Sequence, residues 1–207
     1  MDDKRFSRRR LLAAAGTTLS AAIAGCSSGS NDTIVPGTNP SFAPFEYKEG
    51  GELVGFDIDL TEAVIDRTDY ELGEWSELDF SSLIPSLNNN DIDLIAAGMT
   101  IEPDRQKQID FSDPYWESNQ AVLVQASGDF QPDSESALEG ARVGAQKGTT
   151  GEGEAERLRE DDVIGEDDLQ RYNNYVLAVE DAEEVLIRVM IPALYSPTHS
   201  PSPLMTP

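Results

Sequence analysis

The stretch Gly98 to Tyr115, GMTIEPDRQKQIDFSDPY, holds the residue types best suited to gripping a small anion. Gly98, without a Cβ, allows a ligand close to the backbone. Thr100 can both donate and accept a hydrogen bond. Arg105 offers a planar fork that holds a carboxylate by paired charge-assisted bonds, each roughly twice as strong as a neutral one. The same types occur in ordinary surface loops, so spacing alone leaves that alternative open. The apolar run Leu94 to Ala97 would deliver Gly98 at the end of a strand, and Pro103 would start the short helical turn that carries Arg105.

Around this stretch, apolar periodicity alternates between strand and helix. Thr33-Ile34-Val35 reads as a strand closed by Pro36-Gly37. Phe45-Glu46-Tyr47 and Leu53-Val54-Gly55-Phe56 flank a Gly-bearing loop, which predicts a hairpin. Asp57 is then a plausible N-cap for a helix with Ile58, Leu60, Ala63, Val64 and Ile65 on its apolar positions. Tyr70 to Trp75 gives a weaker strand, Ser81 or Ser82 starts a helix through Leu87, and Asp91 to Ala97 is a buried strand. Asn119 to Gln125 reads as an extended crossing. A second α/β unit begins near Asp129, with a helical turn at Glu135 to Leu138 and a strand from Ala141 to Ala145. It continues through the turn Gln146 to Gly151, a helix through Arg159, a strand from Leu169 to Tyr172 and a helix to Glu184. Such alternation predicts a parallel, doubly wound sheet. From Val185 the pattern stops. Five of the chain's 12 prolines fall in its last 16 residues, a density that argues against helix or sheet interior.

Composition removes several function classes. The chain has 39 acidic and 15 basic residues; the first ten positions hold two of the acids and five of the bases, leaving 37 against 10. Nucleic acid is excluded as a partner, because phosphate neutralisation needs clustered Lys and Arg. The acidic excess reads as a halophilic surface, soluble where salt screens its self-repulsion. One Cys rules out an internal disulfide, and without a Cys/His cluster no metal or cofactor is expected. Residues 1–31 read as a leader and tether. Ser7-Arg8-Arg9-Arg10-Leu11-Leu12 is a twin-arginine pattern, and the apolar run to Ala24 is short for a membrane span. Ile23-Ala24-Gly25-Cys26 resembles a lipobox with Cys26 as the lipidated residue; a chance Cys after a plain secretory signal is the alternative.

The ordered run GMTIEPDRQKQIDFSDPYWESNQAVLV resembles the signature of the solute-binding proteins of polar amino-acid ABC importers, and the likeness extends from about Thr33 to Glu184. It implies a two-lobed, periplasmic-binding-protein-like α/β fold of type II. The expected divisions are a leader at 1–31, a first lobe at 32–125, a partial second lobe at 126–184 and an anomalous Pro-rich tail at 185–207. It also implies a monomeric, non-enzymatic receptor on the extracellular face of the membrane, lipid-anchored and exported by the twin-arginine route. Such a receptor captures a polar amino acid between its lobes and presents it to an ABC permease. By position, Phe42 and Phe80 match the aromatic walls of the family's site, with Phe45 and Phe56 left to core packing. Gly98 and Thr100 match the groups that hold the α-amino group, Arg105 the clamp on the α-carboxylate, and Thr150 a second donor to it from a helix N-terminus. Asn39 stands where the family often has a selector Asp, so a neutral polar ligand is expected over Lys or Arg. The Asp that pairs with the ligand ammonium would lie beyond Glu184, where nothing corresponds to it. The second lobe is therefore expected to be incomplete, by truncation or frame shift, and binding to be weak. A periplasmic dehydratase-like enzyme, which needs a general acid in the cleft, and a sensory ligand-binding domain share the same fold.

Overall fold

The computed structural model describes residues 33–126, 128–184 and 188–194; the leader with Cys26 and the end of the tail lie outside the described residues. Among the described residues, apolar side chains gather into two larger cores and a small cluster of Tyr175 and Ala178 with Phe42 and Tyr172. In the first, Leu83, Ile92 and Ala97 are buried, with Val35, Leu78, Leu87 and Met99 among the residues packed on them. They support a short parallel sheet in which β2 (Pro36–Thr38) lies between β6 (Ser76–Glu77) and β7 (Leu94–Ile95). β1 (Thr33–Ile34) pairs in parallel with β5 (Glu71–Leu72), and β3 (Tyr47–Glu49) forms a hairpin with β4 (Glu52–Val54). α1 (Phe56–Ile65) and α2 (Phe80–Asn88) connect these strands.

The sequence expectations need local correction here. Pro36-Gly37 is not a turn but the buried start of β2; Pro36 is the strand's first residue, where a missing N–H is tolerated. The weak strand around Tyr70 to Trp75 divides into β5 and β6. Asp57 does not cap α1. The cap is Gly55, and the helix's free N–H groups are taken by carbonyls: Phe56 N–H donates to Pro44 O and Asp57 N–H to Phe45 O, both at 2.9 Å.

The second core holds Leu138, Val143, Ala145, Ala155, Leu158 and Leu169. Its sheet has the order β10 (Leu169–Tyr172), β9 (Val143–Gln146), β11 (Arg188–Leu194), β8 (Ser118–Leu123). β9 runs parallel to both neighbours, and β8 is antiparallel to β11. α4 (Thr150–Glu160) and α5 (Tyr175–Glu184) follow β9 and β10, while α3 (Pro103–Gln106) is the short turn anticipated after Pro103. Two differences follow. β8, expected as a crossing at the end of the first lobe, pairs within the second sheet. And the tail, expected to leave regular structure at Val185, contributes β11. Its ladder to β9 covers only Arg188 and Val189, so Pro192, opposite Gln120 of β8, stands beyond that ladder and its lack of an N–H breaks no pairing to β9.

Candidate functional site

The site is built where the start of α1 meets the end of the β7 strand. Gly55 has φ 134°, and a Cβ there would lie 2.2 Å from Phe45 O. This close approach sets the Phe45-Glu46 segment against the helix start and buries Glu46 beside Asp57. Asp57 Oδ2 accepts hydrogen bonds from Gly98 N–H at 2.7 Å and from the Tyr115 hydroxyl at 2.9 Å. Burial pushes the Asp57 carboxyl up, and these two donors oppose the shift. Gly98 itself has φ 51°, and a Cβ would press on the Phe42 ring at 3.2 Å. Asp57 therefore fixes the Gly98 loop from behind, a role not legible in the sequence because an Asp opening an amphipathic stretch looks like a cap.

On the other side, the turn after β9 presents the N-terminus of α4. Thr149 caps it, accepting from Glu152 N–H at 3.2 Å, while the Glu152 carboxylate returns to Gly148 N–H at 2.7 Å. The reciprocal pair follows from Thr149-Thr150-Gly151-Glu152, a sequence of the capping-box kind. It leaves Thr150 as the first helical residue, with its hydroxyl 3.1 Å from that of Thr100.

Asn39, Phe42, Phe80, Gly98, Thr100 and Thr150 all line one cleft. Arg105 sits at its edge, 8% exposed, donating to Thr100 O at 2.8 Å and to Gly148 O at 2.9 Å. Glu102 pairs with it at 3.0 Å, and its guanidinium lies over the Phe80 ring at 5.6 Å. Burial lowers the Arg105 pKa and Glu102 opposes this; the group stays charged. Phe42 is stacked on Phe45 at 5.4 Å and packs on Tyr175 at 5.5 Å. Phe56, expected in the core, is instead 43% exposed and stacks on Tyr115. Asn39 is buried with its amide largely engaged: Oδ1 accepts from Ser41 Oγ and Gln146 Nε2, and Nδ2 donates to Leu78 O.

Two more lining residues were not legible as such. Gln146, 1% exposed, bolts Asn39 to Asn173 O across the cleft. Tyr175 closes one wall; burial pushes its hydroxyl up to about 12. Drawn together in this way, the walls leave about 20 Å³, room for a water molecule or two. A larger ligand requires the two sides to separate. Among the described residues there is no group of acids, His and Cys suited to a metal, and no helix long and apolar enough to cross a membrane.

Residues 34–186 match the bacterial extracellular solute-binding proteins, family 3. The chain belongs to that family. Its fold is the periplasmic-binding-protein-like α/β fold. The chain is 34% identical over 174 residues to the arginine-binding extracellular protein ArtP of Bacillus subtilis, a match spanning 82% of this chain and 67% of ArtP. It is 32% identical over 191 residues to a probable histidine-binding protein of Neisseria gonorrhoeae, spanning 86% and 69%. Among solved structures, an ancestral arginine-binding protein bound to arginine is similar at a TM-score of 0.71 and 35% identity, over 77% of this chain and 70% of that one. The family match takes in every residue that lines the cleft and ends before β11.

Proposed function

We propose that this family-3 chain captures a polar amino acid between its two sheets and delivers it to the permease of an ABC importer. The observation that carries the reading is Arg105, a buried guanidinium at the seam whose fork is held by the carbonyls of Thr100 and Gly148 from opposite sides. An amino acid's carboxylate is a stronger partner than a carbonyl for such a fork. When the cleft opens, the bond to Gly148 breaks and the fork can turn to the ligand, with Thr100 and Thr150 beside it. Phe42 and Phe80 would form the walls and Gly98 the rim. The relatives named for arginine and histidine binding support the substrate class, and such a capture protein is a binding protein, not an enzyme. Binding to the folded form alone raises the melting temperature by linkage. Thermal melts of the chain with each of the common amino acids are expected to give clear upshifts for polar ones; uniformly unchanged melts would overturn the reading.

The same proposal includes delivery to the outer face of the membrane as a monomer, by twin-arginine export and a lipid on Cys26. The support is the order of the leader's features, from Arg8-Arg9-Arg10 to Ile23-Ala24-Gly25-Cys26. Cys26→Ser is expected to release the protein from membranes into the medium. Membrane retention of that variant at the wild-type level would contradict the anchor.

A further inference from the structure

A second and larger space adjoins the cleft: a cavity of about 550 Å³ walled by the rings of Phe42, Phe45, Tyr115 and Trp116. Phe42, Gly98 and Thr100 line both spaces, so the cavity lies against the wall of the binding cleft. Its rings form one cluster. Trp116 meets Phe45 edge-on at 5.6 Å, and Phe56, beside the cavity, stacks on Tyr115 at 5.8 Å. Yet Phe56, Tyr115 and Trp116 are 43%, 42% and 46% exposed. Adjoining aromatic rings left in water mark a surface that another segment or molecule covers.

The chain supplies a segment at the right place. β11 ends at Leu194, opposite Ser118 of β8, and Ser118 lines the cavity. The strand therefore delivers the chain to the cavity's rim, and residues 195–207 follow it. They read YSPTHSPSPLMTP, with four prolines, Tyr195, Leu204 and Met205, and no Asp, Glu, Lys or Arg. The charged residues that line the cavity, Asp113 and Glu117, are both acids. An acidic segment would be repelled there; this one is not. A proline-rich segment suits an aromatic groove because it is extended before it docks and loses little entropy in docking. At about 3.1 Å per residue, the 13 residues from Tyr195 reach about 40 Å, ample for a space of this volume.

We propose that residues 195–207 are a strap that seats in this cavity and covers Tyr115 and Trp116 with its prolines and Leu204-Met205. The proposal stands apart from the amino-acid reading above. A stretch that reads locally as a break in the fold becomes the cover of its exposed aromatic face, and it backs the wall that carries Phe42 and Gly98. A second copy of the chain is the weaker occupant, since each copy brings a net charge of −24 to the contact.

The test is hydroxyl-radical footprinting, read by mass spectrometry, on the full chain and on the full chain with Leu204→Asp and Met205→Asp. Both substitutions lie outside the two cores, so they leave the fold in place. Tyr70, 49% exposed and away from the cavity lining, is the internal reference. Relative to Tyr70, oxidation of Tyr115 and Trp116 is expected to be about twofold or more faster in the variant, with wild-type protection independent of protein concentration. A second measurement does not depend on those substitutions: a photo-cross-linker on Ser202→Cys, with Cys26→Ser so that one thiol carries it, is expected to attach to residues 112–119 of the same chain. Equal oxidation in the two chains together with cross-links elsewhere would overturn the strap. Protection that grows with concentration, or cross-links only between chains, would assign the face to a second copy and overturn it as well.

Discussion

At the scale of residues, the site contrasts two buried charges. Arg105 is held by carbonyls and Glu102, whereas Glu46 is held by a proton. That proton links stability to pH. The Glu46 carboxyl titrates near about 10 in the folded chain and near 4.5 when unfolded. Between those values the unfolded chain has lost the proton and the folded chain keeps it, so stability falls as pH rises, by at most about 1.4 kcal/mol per pH unit. Below the lower value the effect vanishes. Glu46→Gln removes this slope: its melting temperature is expected to exceed that of the wild type at about pH 8 and to converge with it near about pH 4. Melts across that range check it, and a gap independent of pH would contradict the buried proton. Residue types and spacing made Gly98, Thr100 and Arg105 candidates, and the family likeness was needed to separate them from an ordinary loop and to add Thr150. They could not distinguish Asp57 from a cap, or Glu46 from any acid in a hairpin, because burial beside Gly55 is a long-range fact.

At the scale of elements, α1 depends on a contact rather than on its own caps. Its first N–H groups are bound by Pro44 O and Phe45 O, which the chain can reach only through the backbone geometry of Gly55. Gly55→Ala is expected to cost roughly 1–3 kcal/mol for the backbone conformation alone, with more from overlap with the Phe45 carbonyl. Chemical denaturation would show it as a lowered midpoint, and an unchanged midpoint would contradict the close approach. Elements with strong local signals, such as α4 behind Thr149 or the hairpin at Gly50-Gly51, were legible from sequence. β2 and β11 were not. Each contains a proline that reads locally as a stop; Pro36 is the first residue of its strand, and Pro192 lies beyond the two-residue ladder to β9. Only the pairing partners reveal that.

At the scale of the molecule, the three-stranded and four-stranded sheets meet at a cleft crossed by Thr100 with Thr150, Asn39 with Gln146, Arg105 with Gly148, and the rings of Phe42 and Tyr175. The three hydrogen-bonded contacts are ones that water or ligand can replace, which suits a hinge closing on a ligand and shifting population toward the closed form. A net charge of −24 is spread over the chain and sets solubility rather than ligand choice. The sequence conveyed this two-part plan through its alternation of strand and helix, but not which sheet would claim Ser118–Leu123, since an edge strand is defined by its neighbour. The most direct test of capture at the seam is calorimetric titration of L-arginine and L-glutamine into the wild-type chain and into Arg105→Ala, with folding checked by circular dichroism. The wild type is expected to bind at least one of them, and Arg105→Ala to lose about 2–5 kcal/mol of that affinity, because the ligand's carboxylate is left buried without its charge partner. A folded Arg105→Ala that binds as tightly as the wild type would contradict the account.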